Sequence, residues 1–203
     1  PCRRRRLRSG EERMTGTEVL GVQEFSDTAI GAQALDAAVK VAPVTLLMVR
    51  VINPGKLVHI ITGDVASVEL SLRAGRSAAG AGLVDELFLP YVEPGVVNAL
   101  SSRGSPGEWD AMGILDTATI TAGVAAADLA AKRADVRIAE IRIDDSMGGR
   151  ASVRIIGPVG EVEAGLEAGS AYAQQHGVLV RSVLLPNPHD DLRSLLMTKD
   201  GTS

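Results

Sequence analysis

The sequence predicts an α+β protein built from two tandem ferredoxin-like βαββαβ domains, each a four-stranded antiparallel sheet with both helices on one face. Two observations lead to this fold class. The second half of the 203-residue chain repeats the first half, and each half alternates short β-branched runs with segments of helical periodicity. A stretch rich in Ser, Gly and Pro at 101–108 separates the halves and is typical of a linker.

The repeat becomes visible when the chain is shifted by 92 residues. The identical pairs that then coincide include Gly31 and Gly123, Asp36 and Asp128, Lys40 and Lys132, and Arg50 and Arg142. The match resumes after a two-residue insertion at Gly63 and Gly157, and after two further residues at Leu89 and Leu185. Because the insertions fall between elements, they indicate duplication of one folded unit.

The first copy opens with a predicted strand over 18–25 and a helix over 29–41 in which Ala, Leu and Val recur at helical spacing. Thr28 stands directly before this helix and is expected to cap it. Two apolar runs, 44–52 and 57–62, flank the turn sequence Asn53-Pro54-Gly55 and predict a hairpin.

Asp64 ends the hairpin and is expected to cap a second helix over about 65–79. A fourth strand over 83–89 ends at Pro90, and 96–100 predicts a short last helix. The second copy repeats this order, with strands over 111–117, 136–144, 150–156 and 178–185, helices over 121–133 and 159–175, and a short tail. The predicted organisation is a basic tail at 1–17, a first domain at 18–104 and a second at 110–203.

Composition argues against several classes of protein. The net charge of −4 provides no general attraction to nucleic acid or to an anionic membrane. Aromatic residues make up 2% of the chain, which disfavours an enzyme with a deep cofactor pocket. Cys2 is the single cysteine, and the three histidines, His59, His176 and His189, lie far apart, so no metal site is predicted. No serine has a positioned histidine partner, and no catalytic residue is predicted.

The segment from Pro1 to Arg8 is strongly basic. No apolar stretch follows it, so it does not have the pattern of a secretory signal, and no apolar run approaches the roughly 18 residues needed to span a bilayer. We interpret the segment as a disordered tail upstream of a start at Met14. The alternative is a nucleic-acid-binding or targeting arm.

Four motifs recur in the same order in both copies. In the first copy they are Leu20-Gly21-Val22, Asp36-Ala37-Ala38-Val39-Lys40, Asn53-Pro54-Gly55 and Gly63-Asp64-Val65. In the second they are Met112-Gly113-Ile114, Asp128-Leu129-Ala130-Ala131-Lys132, Met147-Gly148-Gly149 and Gly157-Pro158-Val159. This doubled order, over about 18–198, resembles the shell proteins of bacterial microcompartments.

The resemblance is to the tandem, non-permuted members of that family, which form trimers with pseudo-six-fold symmetry. It implies a non-catalytic shell component without a cofactor, in the shell of a compartment within the cytoplasm. The implied partners are further copies of the chain, other shell proteins that form hexamers and pentamers, and small metabolites that cross a central pore. Certain tandem relatives hold an iron–sulfur cluster on pore cysteines, and this chain has no cysteine at those positions.

The family lines its pore with the hairpin turn between the second and third strands. Carried over, the pore residues are Asn53, Pro54, Gly55, Ser146, Met147, Gly148 and Gly149, followed at matching positions by Lys56 and Arg150. Small residues with exposed N–H groups suit a narrow opening that solvates anions. The two cations would make its mouth positive, partly offset by Asp144 and Asp145. Alternatively, they are ordinary polar residues entering a strand.

The resemblance also assigns contacts at the edge of the tile to Lys40 and Lys132. The alternative is that they are solvated lysines favoured by the helix dipole. Family members often carry Pro-Arg-Pro-His after the last strand. This chain has Pro90-Tyr91-Val92-Glu93 and Pro186-Asn187-Pro188-His189, without the arginine, so the locking of the edges is expected to differ.

A second class of protein shares the predicted topology. A trimeric ferredoxin-like regulator would bind a small effector between its subunits, usually with a mobile ligand loop that this compact hairpin does not suggest. Fold alone does not decide between the two functions. Assembly does, because a shell protein is expected to form flat sheets and a regulator discrete trimers that respond to a ligand.

Overall fold

A computed structural model describes residues 19–101, 109–143 and 148–197. In the first half the elements are β1 (Val19–Phe25), α1 (Thr28–Val41), β2 (Thr45–Ile52), β3 (Lys56–Gly63), α2 (Val65–Ala79), β4 (Leu83–Leu89) and α3 (Pro94–Ser101). In the second they are β5 (Ala111–Thr117), α4 (Ile120–Arg133), β6 (Arg137–Arg142), β7 (Ala151–Gly157), α5 (Val159–Gln175), β8 (Leu179–Pro186) and α6 (Asp190–Met197). The predicted βαββαβ order is confirmed in both halves.

Each half forms one antiparallel sheet, with strand order β2-β3-β1-β4 in the first and β6-β7-β5-β8 in the second. The irregularities of the two sheets repeat as well. The register shifts between Leu46 and Met48 in the first sheet and between Ile138 and Glu140 in the second. Since these positions differ by 92 residues, the duplication extends to the β-bulges.

The helix N-termini contain one correction to the sequence prediction. The N-cap of α1 is Asp27, whose carboxylate accepts a hydrogen bond from the backbone N–H of Ile30 at 2.9 Å. Thr28, expected to be the cap, is the first helical residue, because a cap must precede the first helical turn. Asp64 caps α2 as predicted, by accepting from Ser67 N.

The repeated Leu-Gly or Met-Gly motif has a packing explanation. A Cβ atom on Gly21 would stand 2.9 Å from Cγ1 of Val68 in α2, and one on Gly113 would stand 2.7 Å from Cγ of Leu166 in α5. Any larger residue would therefore push the second helix of each half away from the central strand. Since Gly21 and Ile61 face α2, the alternating residues Leu20, Val22 and Ile60 lie on the opposite face of the sheet.

The short last helices were only partly predicted. The helix expected over 96–100 is α3 and spans Pro94–Ser101, whereas α6 forms where only a tail was expected. Within the part of the chain that the structure describes, no helix is long and apolar enough to cross a membrane.

Candidate functional site

The two halves of the chain share one hydrophobic core. The sheet face of the first half that is turned away from its helices contributes Leu20, Val22 and Ile60, and α4 contributes Ile120 and Val124 to the same buried cluster. Helix α4 contacts β1 and β4 as well as its own sheet. It is therefore sandwiched between the two sheets, and this contact is the domain junction.

A polar contact fixes the beginning of α4 at the domain junction. The Glu24 carboxylate accepts the backbone N–H of Thr121 at 2.8 Å, and the Thr121 hydroxyl donates to Asp85. Burial raises the pKa of the Glu24 carboxyl, and nearby Asp85 adds to this, while the Thr121 N–H and the charge of Lys56 act in the opposite direction. The Glu24 side chain is thus held at the N-terminus of α4, whose N-cap is Thr119.

A second polar contact lies further along α4. Asp128 is buried, accepts the backbone N–H of Glu93 at 2.8 Å and pairs with Lys132 at 2.6 Å. The matching pair in α1, Asp36 and Lys40, has the same separation along the helix and a distance of 2.5 Å, but both side chains are exposed. The two lysines predicted for tile edges thus have the same local partner in different surroundings.

The hairpin turns predicted to line a pore lie beside each other in this chain. Arg50 Nη1 in β2 donates to the carbonyl oxygen of Ile143, which directly follows β6. A Cβ atom on Gly149 would stand 3.2 Å from Nζ of Lys56, so the second turn reaches the start of β3. The structure therefore brings one turn from each half to the same place.

The conformations of the turn glycines explain their residue type. Gly55, Gly148 and Gly149 have φ values of 116°, 61° and 82°, a region that side chains with a Cβ rarely occupy. Of the other predicted pore residues, Asn53, Pro54 and Arg150 are exposed and Lys56 is half-buried. Ser146 and Met147, together with Asp144 and Asp145, lie outside the described residues.

The edge strands of the two sheets differ in what covers them. Helix α3 packs on β6, and its Val96 and Val97 share a buried cluster with Ile138, Ile141 and Ile143. Ile138 and Ile141 of β6 are each 6% exposed, and Ile143, which directly follows the strand, is 3% exposed. The matching β2 residues, Leu46, Val49 and Val51, are 43%, 40% and 54% exposed. The same surface is thus covered in the second half and open in the first, which the similar apolar sequences of the strands could not show.

Comparison with known proteins also finds one domain present twice in the chain. The BMC domain model matches residues 19–92 and again 111–188. The chain is 33% identical over 176 residues to the bacterial microcompartment shell protein PduT of Citrobacter freundii, which covers 87% of this chain and 96% of that protein. The shell protein PduA of the same organism is 32% identical over 87 residues, covering 43% of this chain and 91% of PduA.

A solved structure supports the assignment over both halves. The crystal structure of a microcompartment protein from Desulfitobacterium hafniense is 39% identical, superposes with a TM-score of 0.81, and covers 88% of this chain and 99% of that one. The repeated fold, the doubled motifs and these relationships agree. The chain belongs to the BMC domain family, as a bacterial microcompartment shell protein with two such domains in tandem.

Proposed function

We propose that three copies of this chain close into a pseudohexameric tile of a microcompartment shell, with a central pore between the hairpin turns. The observation that supports it best is the uncovered β2 surface, whose counterpart β6 is buried inside the chain. The role is structural rather than catalytic. The shell lies in the cytoplasm, and the neighbouring tiles are other shell proteins, both hexamers and pentamers.

The contact between the halves is heterologous, because α4 and β6 of the second half meet the free sheet face and α3 of the first. Each chain therefore has a second copy of each surface that makes no contact within the chain. Helix α1 and β2 correspond to the surface formed by α4 and β6. The second sheet and α6 correspond to the surface formed by the first sheet and α3. A heterologous contact is satisfied throughout when copies close into a ring. A ring of six domains contains three chains.

The hydrophobic effect supplies a driving force for this closure. Complete burial of a Val or Leu side chain contributes about 1.5–3 kcal/mol. Three such residues of β2, Leu46, Val49 and Val51, would be covered at every contact between chains, as their β6 counterparts are within the chain. The same contact would enclose Asp36, as Asp128 is enclosed at the domain junction.

Closure would also place the turns around the axis. Within one chain, Lys56 and Gly149 already adjoin, and the same relation between chains would set Arg150 beside Gly55. The pore residues would then be Asn53, Pro54, Gly55, Lys56, Ser146, Met147, Gly148, Gly149 and Arg150. Three copies each of Lys56 and Arg150 form a positive ring in a narrow opening, where screening by salt is weaker than at an open surface. Lys40 and Lys132 are proposed to contact neighbouring tiles.

Assembly tests the proposal directly. Light scattering at micromolar concentration should give three times the mass of one chain, and electron microscopy at higher concentration should show flat sheets or incorporation into shells. A monomer under these conditions would contradict the proposal. Discrete trimers that never form sheets or enter shells, but change on binding a small molecule, would favour the ferredoxin-like regulator instead.

Charge at the pore gives a second prediction. In closed shells, Lys56→Gln combined with Arg150→Gln should slow the entry of a small anion several-fold more than that of a neutral molecule of similar size, because the positive ring is removed. The exposed Arg73, which pairs with Glu69 on α2, provides a control, since Arg73→Gln removes a cation elsewhere. Equal slowing of both solutes in the pore variant would remove the proposed charge selectivity.

A further inference from the structure

The domain junction within the chain and the proposed contact between chains use matching positions but different residues. In the first sheet, Glu24 of β1 is paired in register with Asp85 of β4. In the second sheet, Asp116 of β5 is paired in the same way with Arg181 of β8. The position of an acid in the first half is therefore occupied by a base in the second.

The charge at the helix N-terminus also differs between the halves, and in the opposite direction. Helix α4 begins with Thr119 as its neutral N-cap, and Thr121 follows two residues later. At the matching positions of α1 stand Asp27, which is the N-cap, and Ala29. The acidic residues of the first sheet thus face a helix N-terminus with a neutral cap. In the proposed trimer, the second sheet with its arginine would face the acidic cap of α1.

The domain junction shows how close these groups come. Thr121 Oγ1 donates to the Asp85 carboxylate and lies 3.0 Å from Thr119 Oγ1. The Thr121 hydroxyl thus bridges the side chain of Asp85 on the sheet and the side chain of the N-cap Thr119. An arginine is longer than an aspartate, so at the matching contact its guanidinium can reach the carboxylate of the cap.

The second half contains the groups that this contact requires. Arg181 is exposed, and no hydrogen bond or ion pair joins it to another described residue. Beside it, Oδ1 of Asp116 is buried and without a hydrogen-bond partner in the described part of the chain. Its counterpart Glu24 accepts a backbone N–H from α4. Both groups lie on the sheet face that the proposed trimer would cover with α1 of another chain.

We propose that Arg181 of one chain forms an ion pair with Asp27 of the next, with Asp116 beside the start of that α1 helix. This inference rests on the proposed trimer and names a polar contact between its chains. Because α4 of the same chain already covers the free face of the first sheet, only the second sheet is left to receive α1 of another chain. The ion pair adds a charge-assisted contact at each of these junctions between chains.

Charge reversal tests this pair. Arg181→Glu should raise the dissociation constant of the trimer by roughly tenfold or more, measured by light scattering over a dilution series. Adding Asp27→Asn should recover part of that loss, since Asn removes the repulsion and its side-chain oxygen still caps α1. Arg73→Glu makes the same change in net charge on exposed α2 and should leave the trimer unchanged. Circular dichroism of each variant confirms that the chain is folded.

The outcomes separate this pair from the proposed function. If the wild-type chain is a trimer and Arg181→Glu dissociates no more readily than Arg73→Glu, the ion pair is wrong and the tile stands. The same conclusion follows if Asp27→Asn restores nothing in the Arg181→Glu background. If the wild-type chain stays monomeric in the same dilution series, the tile and the ion pair are both overturned.

Discussion

Replacing Val49 and Val51 of β2 with Asp is expected to leave each chain folded and to dissociate the proposed trimer. Both side chains are exposed within the chain, so their replacement disturbs little of its core. In the trimer, each substitution would lose about half of the 1.5–3 kcal/mol that complete burial of a valine contributes, because Val49 is 40% and Val51 54% exposed within the chain. Each would also place an unpaired carboxylate under a neighbouring chain, which adds a larger cost. The combined effect exceeds a hundredfold in the dissociation constant, by the equivalence of about 1.4 kcal/mol to each factor of ten. Light scattering measures it.

The chain offers matched controls for this experiment. Val65 and Val159 open α2 and α5 at equivalent positions and are 47% and 40% exposed. Since neither half covers this position, Val65→Asp with Val159→Asp should leave the trimer intact. Ile141→Asp changes the covered counterpart of Val49 and should unfold the chain instead. A β2 variant that remains as trimeric as the Val65 and Val159 variant would contradict the proposed interface.

Periodicity and turn residues predicted most of the fold. The helices Val65–Ala79 and Val159–Gln175 and the strands Leu83–Leu89 and Ala111–Thr117 have the predicted bounds. These elements are bounded by residues with a local physical effect, such as the cap at Asp64 and the proline at Pro90. Duplication strengthened each assignment because every element was seen twice.

The errors of the sequence prediction have tertiary or local causes. Asp27 and Thr28 are both good cap residues, and their order decides which one precedes the first turn. Helix α6 follows Pro188 in a polar segment without a clear apolar period. The covered and open edge strands, β6 and β2, have nearly the same apolar pattern, so only the contact of α3 with β6 reveals the difference.

The assignment of the hairpin turns to a pore stays a prediction. The resemblance indicated both hairpin turns, and the structure places Lys56 beside Gly149. The resemblance could not indicate Glu24, Asp85 and Thr121 as the polar centre of the domain junction, because these residues come together only when two distant segments of the chain pack. The pairing of Asp116 with Arg181 could not be predicted for the same reason.

One buried residue is expected to make the stability of the first half depend on pH. His59 lies in β3 opposite Gln23, with its ring centroid 5.3 Å from that of Phe25. Neither ring nitrogen has a hydrogen-bond partner in the described part of the chain. Burial lowers the pKa of the His59 imidazole from 6.5 to about 4, because the charged ring would lose its hydration without gaining a partner. The matching residue in the second half is Val153, which cannot titrate.

The sign of the effect follows from this pKa. Between about pH 6.5 and pH 4 the unfolded chain binds a proton at His59 that the folded chain does not bind. The stabilisation by the neutral ring is therefore fully present above pH 6.5 and is lost as the pH falls toward 4. Over that interval the free energy of unfolding should decrease by about 3 kcal/mol from this group alone.

Urea unfolding of the wild-type chain and of His59→Val, from pH 7.5 to pH 4, measures this contribution. The variant replaces the ring by the residue found at the matching position of the second half. Any cavity that it creates changes stability by a similar amount at every pH. Other titrating groups are common to both proteins and cancel in the difference, so only the extra wild-type loss on acidification is assigned to His59. Parallel profiles for the wild type and His59→Val would show that the ring is protonated at little cost, and that the first half relaxes around it rather than keeping it dry.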